Sequence, residues 1–156
     1  MEKQLVLFDL GTRNFGVEVS SVIRIGLIPE TLKKPKSPRF IEGQFNHIGC
    51  TMPIVDLHRW FGINGQKRTE DSRVMVVNLN GIKVGMIVSA VTDVVYVDEK
   101  SIASPKKKMK NKNSEYVFGV TKINEQLVTL VDICMVLTNE EKNQLKLFNC
   151  ETQESI

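Results

Sequence analysis

Two pairs of residues have types and spacing that could do chemistry. Asp56-Leu57-His58 sets a carboxylate and an imidazole two positions apart, on one face of a strand, as a metal site or a general-base pair would need. His47 and Cys50, three apart, could form a thiol–imidazole nucleophile. Each has a plainer reading. Asp56 is suited to cap a short turn at His58–Phe61 and leave His58 on the surface, because an aspartate recurs at the equivalent Asp132 with no histidine beside it. His47 and Cys50, on strands joined at Gly49, are expected to face different ways, and no third group orients them.

No G-x-x-x-x-G-K-S/T loop, G-x-G-x-x-G turn or C-x-x-C pair occurs, so neither a phosphate cradle nor a thiolate metal site can be argued. Cys50, Cys134 and Cys150 are odd in number and widely spaced, which suits reduced thiols better than a disulfide framework. The expectation is a protein without catalytic residues, metal or cofactor.

Charge points to one segment. The chain carries +3 overall, but Lys106, Lys107, Lys108, Lys110 and Lys112 lie within Pro105–Lys112, and without them the balance is −2. A loop at 105–112 contacting phosphates is the basis of an alternative reading, a small β-barrel nucleic-acid-binding protein. No aromatic residue stands among those lysines to stack a base, so a solvated loop is the plainer reading. Trp60 reads as a core anchor.

The elements that would position these residues are strands. The 156 residues contain 19 Val and 13 Ile against 2 Ala, a composition that fits pleated, half-buried surface. No apolar run approaches the roughly 18 residues of a membrane span, and Met1-Glu2-Lys3-Gln4 opens no secretory signal, so a cytoplasmic protein is expected.

An internal repeat orders the strands. Leu5–Ile25 lies over Val74–Val94 at a constant offset of 69, with Leu10/Leu79, Gly16/Gly85, Val19/Val88, Ser20/Ser89 and Val22/Val91 identical. A second block aligns at offset 76: Gly43 over Gly119, and Ile54-Val55-Asp56-Leu57 over Leu130-Val131-Asp132-Ile133. Seven extra residues in the second copy therefore fall between Val94 and Gly119, the interval that holds the lysines.

Each copy reads as a hairpin, a third strand, and a second hairpin. Asn80-Gly81 is a strong type I′ turn signal, and Gly11–Asn14 is its longer counterpart. This predicts a mainly β fold of two small five-stranded barrels, 4–62 and 72–137, with a second core where they meet. Gly16 and Gly85 should occupy equivalent strand positions, and Asp56 and Asp132 should both end strands. Helix is expected at Pro38–Gly43, at His58–Gly62, and in a C-terminal segment within 138–150, where Thr138 and Glu141 have capping-box spacing.

The order and spacing of several stretches resemble the CheW-like family over Gln4 to about Leu137. They are Val6-x-Phe8-x-Leu10-Gly11, Phe15-Gly16-Val17-x-Val19, Phe40-Ile41-Glu42-Gly43, Asn46-x-x-Gly49, Met52-Pro53-Ile54-Val55-Asp56-Leu57 and Val84-Gly85-x-x-Val88-x-x-Val91. The resemblance implies two SH3-like barrels within a single domain over 1–156, and a non-enzymatic adaptor in bacterial chemotaxis signal transduction. Its implied partners are the chemoreceptor cytoplasmic tip and the regulatory domain of the chemotaxis histidine kinase. A receptor helix would lie in an apolar groove where the barrels join. The positions matching the family's partner-facing surface are Val22, Arg24, Gly43, Asn46, Ile48, Gly49, Val74 and Gly85. Two depart from the family's pattern: Ile48 stands where an arginine is usual, and Arg24 where an acid often stands.

Overall fold

The computed structural model describes residues 1–31, 41–47, 50–63, 67–79, 81–104, 116–137 and 139–146. Ten strands appear in the expected order: β1 (Glu2–Leu10), β2 (Arg13–Glu18), β3 (Val22–Gly26), β4 (Ile41–His47), β5 (Cys50–Asp56), β6 (Arg73–Leu79), β7 (Ile82–Val88), β8 (Ala90–Asp98), β9 (Val117–Ile123) and β10 (Gln126–Val131). Among the described residues three α-helices punctuate them: α1 (Leu57–Trp60), α2 (Ile133–Val136) and α3 (Asn139–Lys146).

The strands form two five-stranded sheets, ordered β8-β1-β2-β10-β9 and β3-β6-β7-β5-β4. Exchanging the two copies (β1 for β6, β2 for β7, β3 for β8, β4 for β9, β5 for β10) turns one order into the other. The repeat therefore governs the architecture, but the sheets do not follow the halves. Each first hairpin has crossed into the sheet built by the third strand and second hairpin of the other copy. The boundaries 4–62 and 72–137 mark the repeat units and not the sheets, a correction to barrels read as contiguous stretches of chain.

Even the irregularities recur. The β1–β8 register skips Thr92 and the β3–β6 register skips Ile23, equivalent at offset 69. The β4–β5 register skips Glu42 and the β9–β10 register skips Phe118, equivalent at offset 76. Such bulges bend a strand and tighten its twist, as rolling a short sheet toward a barrel requires. The rolling stops short of full closure. Across the first sheet a single bridge, Ala103 with Val120, brings the segment after β8 to β9.

Alternation along the strands divides the core into three parts. Leu5 and Leu7 of β1 point into the first barrel with Val128 and Leu130, while Val6, Phe8 and Leu10 face the other way into the seam between the sheets. Val74, Ile87 and Ile54 fill the second barrel; Met75, Val77, Val84 and Met86 join the seam. The seam is the largest cluster, as expected for barrels whose own interiors are small.

Gly16 and Gly85 occupy equivalent inward positions, opposite Leu130 and Ile54 in the parallel pairings β2–β10 and β5–β7. A Cβ on Gly16 would stand 2.8 Å from Leu130 Cδ2, and one on Gly85 2.7 Å from Ile54 Cδ1 and 2.9 Å from Val74 Cγ2. These glycines make room for the barrels' own side chains.

Three local expectations change. Ile41–Gly43 belong to β4 and not to a helical turn, the bulge at Glu42 giving this stretch its uneven pattern; Pro38–Phe40 lie outside the described residues. The first hairpin turns within Gly11-Thr12, with Gly11 at φ 64°, and is as tight as its counterpart. The short helix starts at Leu57, one residue earlier than expected, and Gly62 closes its turn at φ 73°. Helix α3 lies where the C-terminal helix was expected, and Thr138 is outside the described residues.

Candidate functional site

Asp56 and Asp132 end their second hairpins in the same way. At φ −94°, ψ 108° and φ −92°, ψ 108°, each carboxylate accepts the backbone N–H two residues on, His58 at 2.9 Å and Cys134 at 3.0 Å. Capping is thus the role of the repeated aspartate.

His58, however, is not a surface residue. It is 8% exposed, with Nδ1 2.8 Å from Asp56 Oδ1 and Nε2 2.6 Å from Ser89 Oγ. A carboxylate only accepts, so Nδ1 donates to Asp56, and Nε2 pairs with the Ser89 hydroxyl. Ser89 Oγ in turn accepts the Gly11 N–H at 2.9 Å. The chain Asp56–His58–Ser89–Gly11 runs from the end of β5 through the turn after β7 to the turn after β1. Ser89 went unsuspected, since its sole sequence signal was identity with Ser20 in the repeat. The connectivity is that of a Ser-His-Asp relay, yet the N–H that reaches it is bonded to the serine oxygen and not set to receive an oxyanion. The geometry is that of a tie.

Electrostatics agree. Burial pushes the Asp56 carboxyl up, but hydrogen bonds and charge from His58, with Arg59 adding to them, outweigh it and hold the carboxyl below its usual value. Glu42, brought inward at its bulge, lies 2.6 Å from Arg68 Nη2 and 2.9 Å from Arg59 Nη2. The second contact is an ion pair out of hydrogen-bond alignment, leaving Oε2 without a hydrogen bond. Trp60 packs on the seam beside Phe61 and Tyr116, as expected of an anchor, and its indole N–H reaches Glu141 of α3 at 3.3 Å.

The eight positions expected to face partners separate into three groups. Val22, half-buried at the rim of the seam, and Arg24, exposed on β3, lie on an outer edge. Gly43, Val74 and Gly85 are buried: Val74 is 4% exposed within the second barrel and Gly85 sits beneath Ile54. All three are covered by the chain itself. Asn46 lies on β4, its side chain outside the described residues, as are Ile48 and Gly49. His47 and Cys50 are paired in the β4–β5 register, and their side chains lie outside the described residues. The 105–112 segment lies outside the described residues.

Among the described residues the seam is filled by the chain's own side chains, with no open groove within it. Exposed apolar surface lies instead on β3 and β8. Ile23, Ile25 and Leu27 follow Val22 outward, and Leu27 is 74% exposed. Val94 and Tyr96, equivalent to Ile25 and Leu27 in the repeat, stand out from β8, Tyr96 being 67% exposed. Both strands are the edges of their sheets. Sequence pattern hid these rows because isoleucine and valine in a strand read as core.

Comparison with known proteins gives a consistent result. The family model described as CheW-like domain matches residues 4–141. The chain is similar to the chemotaxis protein CheW of Klebsiella aerogenes, 29% identical over 139 residues, covering 89% of this chain and 84% of that one. It is 25% identical to the chemotaxis protein CheW of Treponema pallidum over 146 residues, 91% and 86% of the two chains. Among solved structures, the scaffolding protein TtCheW from Thermoanaerobacter tengcongensis superposes with a TM-score of 0.80 at 31% identity, covering 89% of this chain and 90% of that one.

Proposed function

Because the chain belongs to the CheW-like domain family, a family of non-enzymatic adaptors in chemotaxis signalling, we propose that it couples a chemoreceptor cytoplasmic tip to the regulatory domain of a chemotaxis histidine kinase. The observation that carries this reading is the pair of apolar edges. One protein that must hold two others needs two separate surfaces, and the repeat supplies them at Ile25 on β3 with Leu27 just past its end, and at Val94 and Tyr96 on β8. Rows of neighbouring apolar side chains exposed along an edge strand offer surface on which another protein can pack.

The receptor tip is assigned to the β3 side, where Val22 and Arg24 match the family's partner-facing positions, with Asn46, Ile48 and Gly49 completing the surface. The kinase domain is assigned to β8. Gly43, Val74 and Gly85 support the β3 side from within. Arg24, where an acid is common in the family, favours a receptor tip that offers a carboxylate at that point. The working location is the cytoplasm; no described helix is long and apolar enough to cross a membrane.

The test is binding of the purified chain to each partner fragment in turn, with dissociation constants expected in the range of tens of micromolar. Leu27→Asp should weaken receptor-tip binding alone and Tyr96→Asp kinase-domain binding alone. Absence of binding to both fragments overturns the proposal.

A further inference from the structure

Glu42 stands where the ends of the second sheet have to be held together. β3 and β4 are the free edges of that sheet, and the partner-facing positions are divided between them, Val22 and Arg24 on β3 and Asn46 on β4. One partner can bind both edges well only if their spacing is fixed. Among the described residues no strand pairing joins β4 to β3 or β6. Glu42, 9% exposed at the β4 bulge, reaches across instead. Its Oε1 lies 2.6 Å from Arg68 Nη2 and its Oε2 2.9 Å from Arg59 Nη2. Arg68 leads into β6 through a turn in which the Ser72 N–H donates to Thr69 O at 3.1 Å and the Thr69 N–H to Ser72 Oγ at 2.9 Å. β6 in turn pairs with β3. Arg59 belongs to α1 and lies 3.8 Å from Asp56 Oδ2, at the end of β5. We infer that Glu42 is a positioning residue for the receptor-facing surface, its ion pair with Arg68 fixing the β4 edge against the β3–β6 edge. The inference rests on the receptor assignment made above.

The repeat shows why this carboxylate serves more than the fold. The equivalent bulge residue is Phe118, packed on the first barrel's core with Lys3 Nζ 5.8 Å from its ring centroid. Lys3 stands in the first hairpin of one copy, and Arg68 leads into the first hairpin of the other. Each bulge residue thus meets a cation at the entry of the exchanged hairpin. In the first barrel an aromatic ring suffices there. A buried carboxylate is costly to desolvate, and apolar replacements of buried ion pairs are often just as stable. Glu42 Oε2, buried without a hydrogen bond, adds to that cost. What the charge adds is direction: a carboxylate held by guanidinium groups from two segments has few orientations, whereas a ring lets its cation slide.

The test measures receptor-tip and kinase-domain binding by the full chain carrying Arg68→Gln, Glu42→Gln or both. Arg68 is half-exposed, so Arg68→Gln should fold, and Arg68→Lys keeps the charge. Arg68→Gln should weaken receptor-tip binding about three-fold or more while kinase-domain binding stays within about two-fold. Arg68→Lys should recover most of the loss, and the double variant should bind the tip no worse than Glu42→Gln alone. In the free 15N-labelled chain, Arg68→Gln should move amide resonances on both β3 and β4. The proposal is overturned by unchanged tip binding, by equal weakening of both fragments, by additive losses in the double variant, or by amide shifts confined to the neighbours of residue 68. If the parent chain binds neither fragment, the adaptor reading fails and takes this proposal with it; if the parent binds and the variants match it, the proposal alone falls.

Discussion

His58 Nε2 and Ser89 Oγ, 2.6 Å apart, join the two copies of the repeat through a part-buried hydrogen bond. Ser89→Ala removes the acceptor of the Gly11 N–H and the hydroxyl paired with His58 together. Leaving such groups unpaired in a buried site costs about 1–3 kcal/mol, so urea denaturation should show a loss in that range. Ser20→Ala, at the equivalent but exposed position, should change the midpoint little. Equal effects from the two substitutions would remove the tie from this account.

Asp56 adds a dependence on pH. Its carboxyl is held below the usual value in the folded chain, so its contribution is complete above the unfolded value of about 3.9 and is lost as pH falls through the lower folded value. Asp56→Asn should therefore flatten the acid side of the stability profile, measured by urea midpoints from about pH 2 to pH 6. An unchanged slope would show that the carboxylate's partners matter less than their distances suggest.

The inward glycines offer a graded comparison. Gly85→Ala meets two side-chain atoms closer than 3.0 Å and Gly16→Ala one. Both should destabilise, by roughly 1–3 kcal/mol from overpacking, with Gly85→Ala the more severe. Thermal melts of the two variants should rank them in that order.

The turn after β9 runs the other way. Asn124 and Glu125 both have positive φ, 50° and 65°, a conformation that costs a residue with a Cβ about 1–2 kcal/mol. Asparagine tolerates it; glutamate does not. Glu125→Gly should raise the melting temperature, part of the gain being offset by glycine's freedom in the unfolded chain.

The apolar edges can be probed without partners in hand. Leu27→Asp and Tyr96→Asp remove exposed apolar surface and should leave the stability from urea denaturation within about 0.5 kcal/mol of the parent. That outcome is needed if lost binding by these variants is to be read as a surface effect. A large fall in stability would mean that these side chains belong to the fold.

Much of this architecture was legible because the repeat is. Identities at Gly16/Gly85 and Val22/Val91 located equivalent positions before any contact was known, and the aspartate shared by Asp56 and Asp132 pointed to capping. Hairpin exchange was not legible: swapping the first hairpins keeps the same strands, alternation and seam, so the sequence pattern is identical either way. The burial of His58 was hidden for a related reason, since its partner Ser89 is 31 residues away and has no chemistry of its own to attract notice. Of the surface positions, Arg24 could be placed by its charge. Val74 and Gly85 could not, because a β-branched residue or a glycine in a strand reads equally well as wall or as contact.

The crossed hairpins carry a consequence for how such a molecule could arise and be taken apart. Half the chain, made alone, would hold three strands waiting for two that its own hairpin is pointed away from supplying. Two such halves could satisfy each other only by trading arms, so the unit that was doubled was already suited to life as an interlocked pair. Severed near residue 65, the pieces should find one another again in solution, and neither should keep its shape alone.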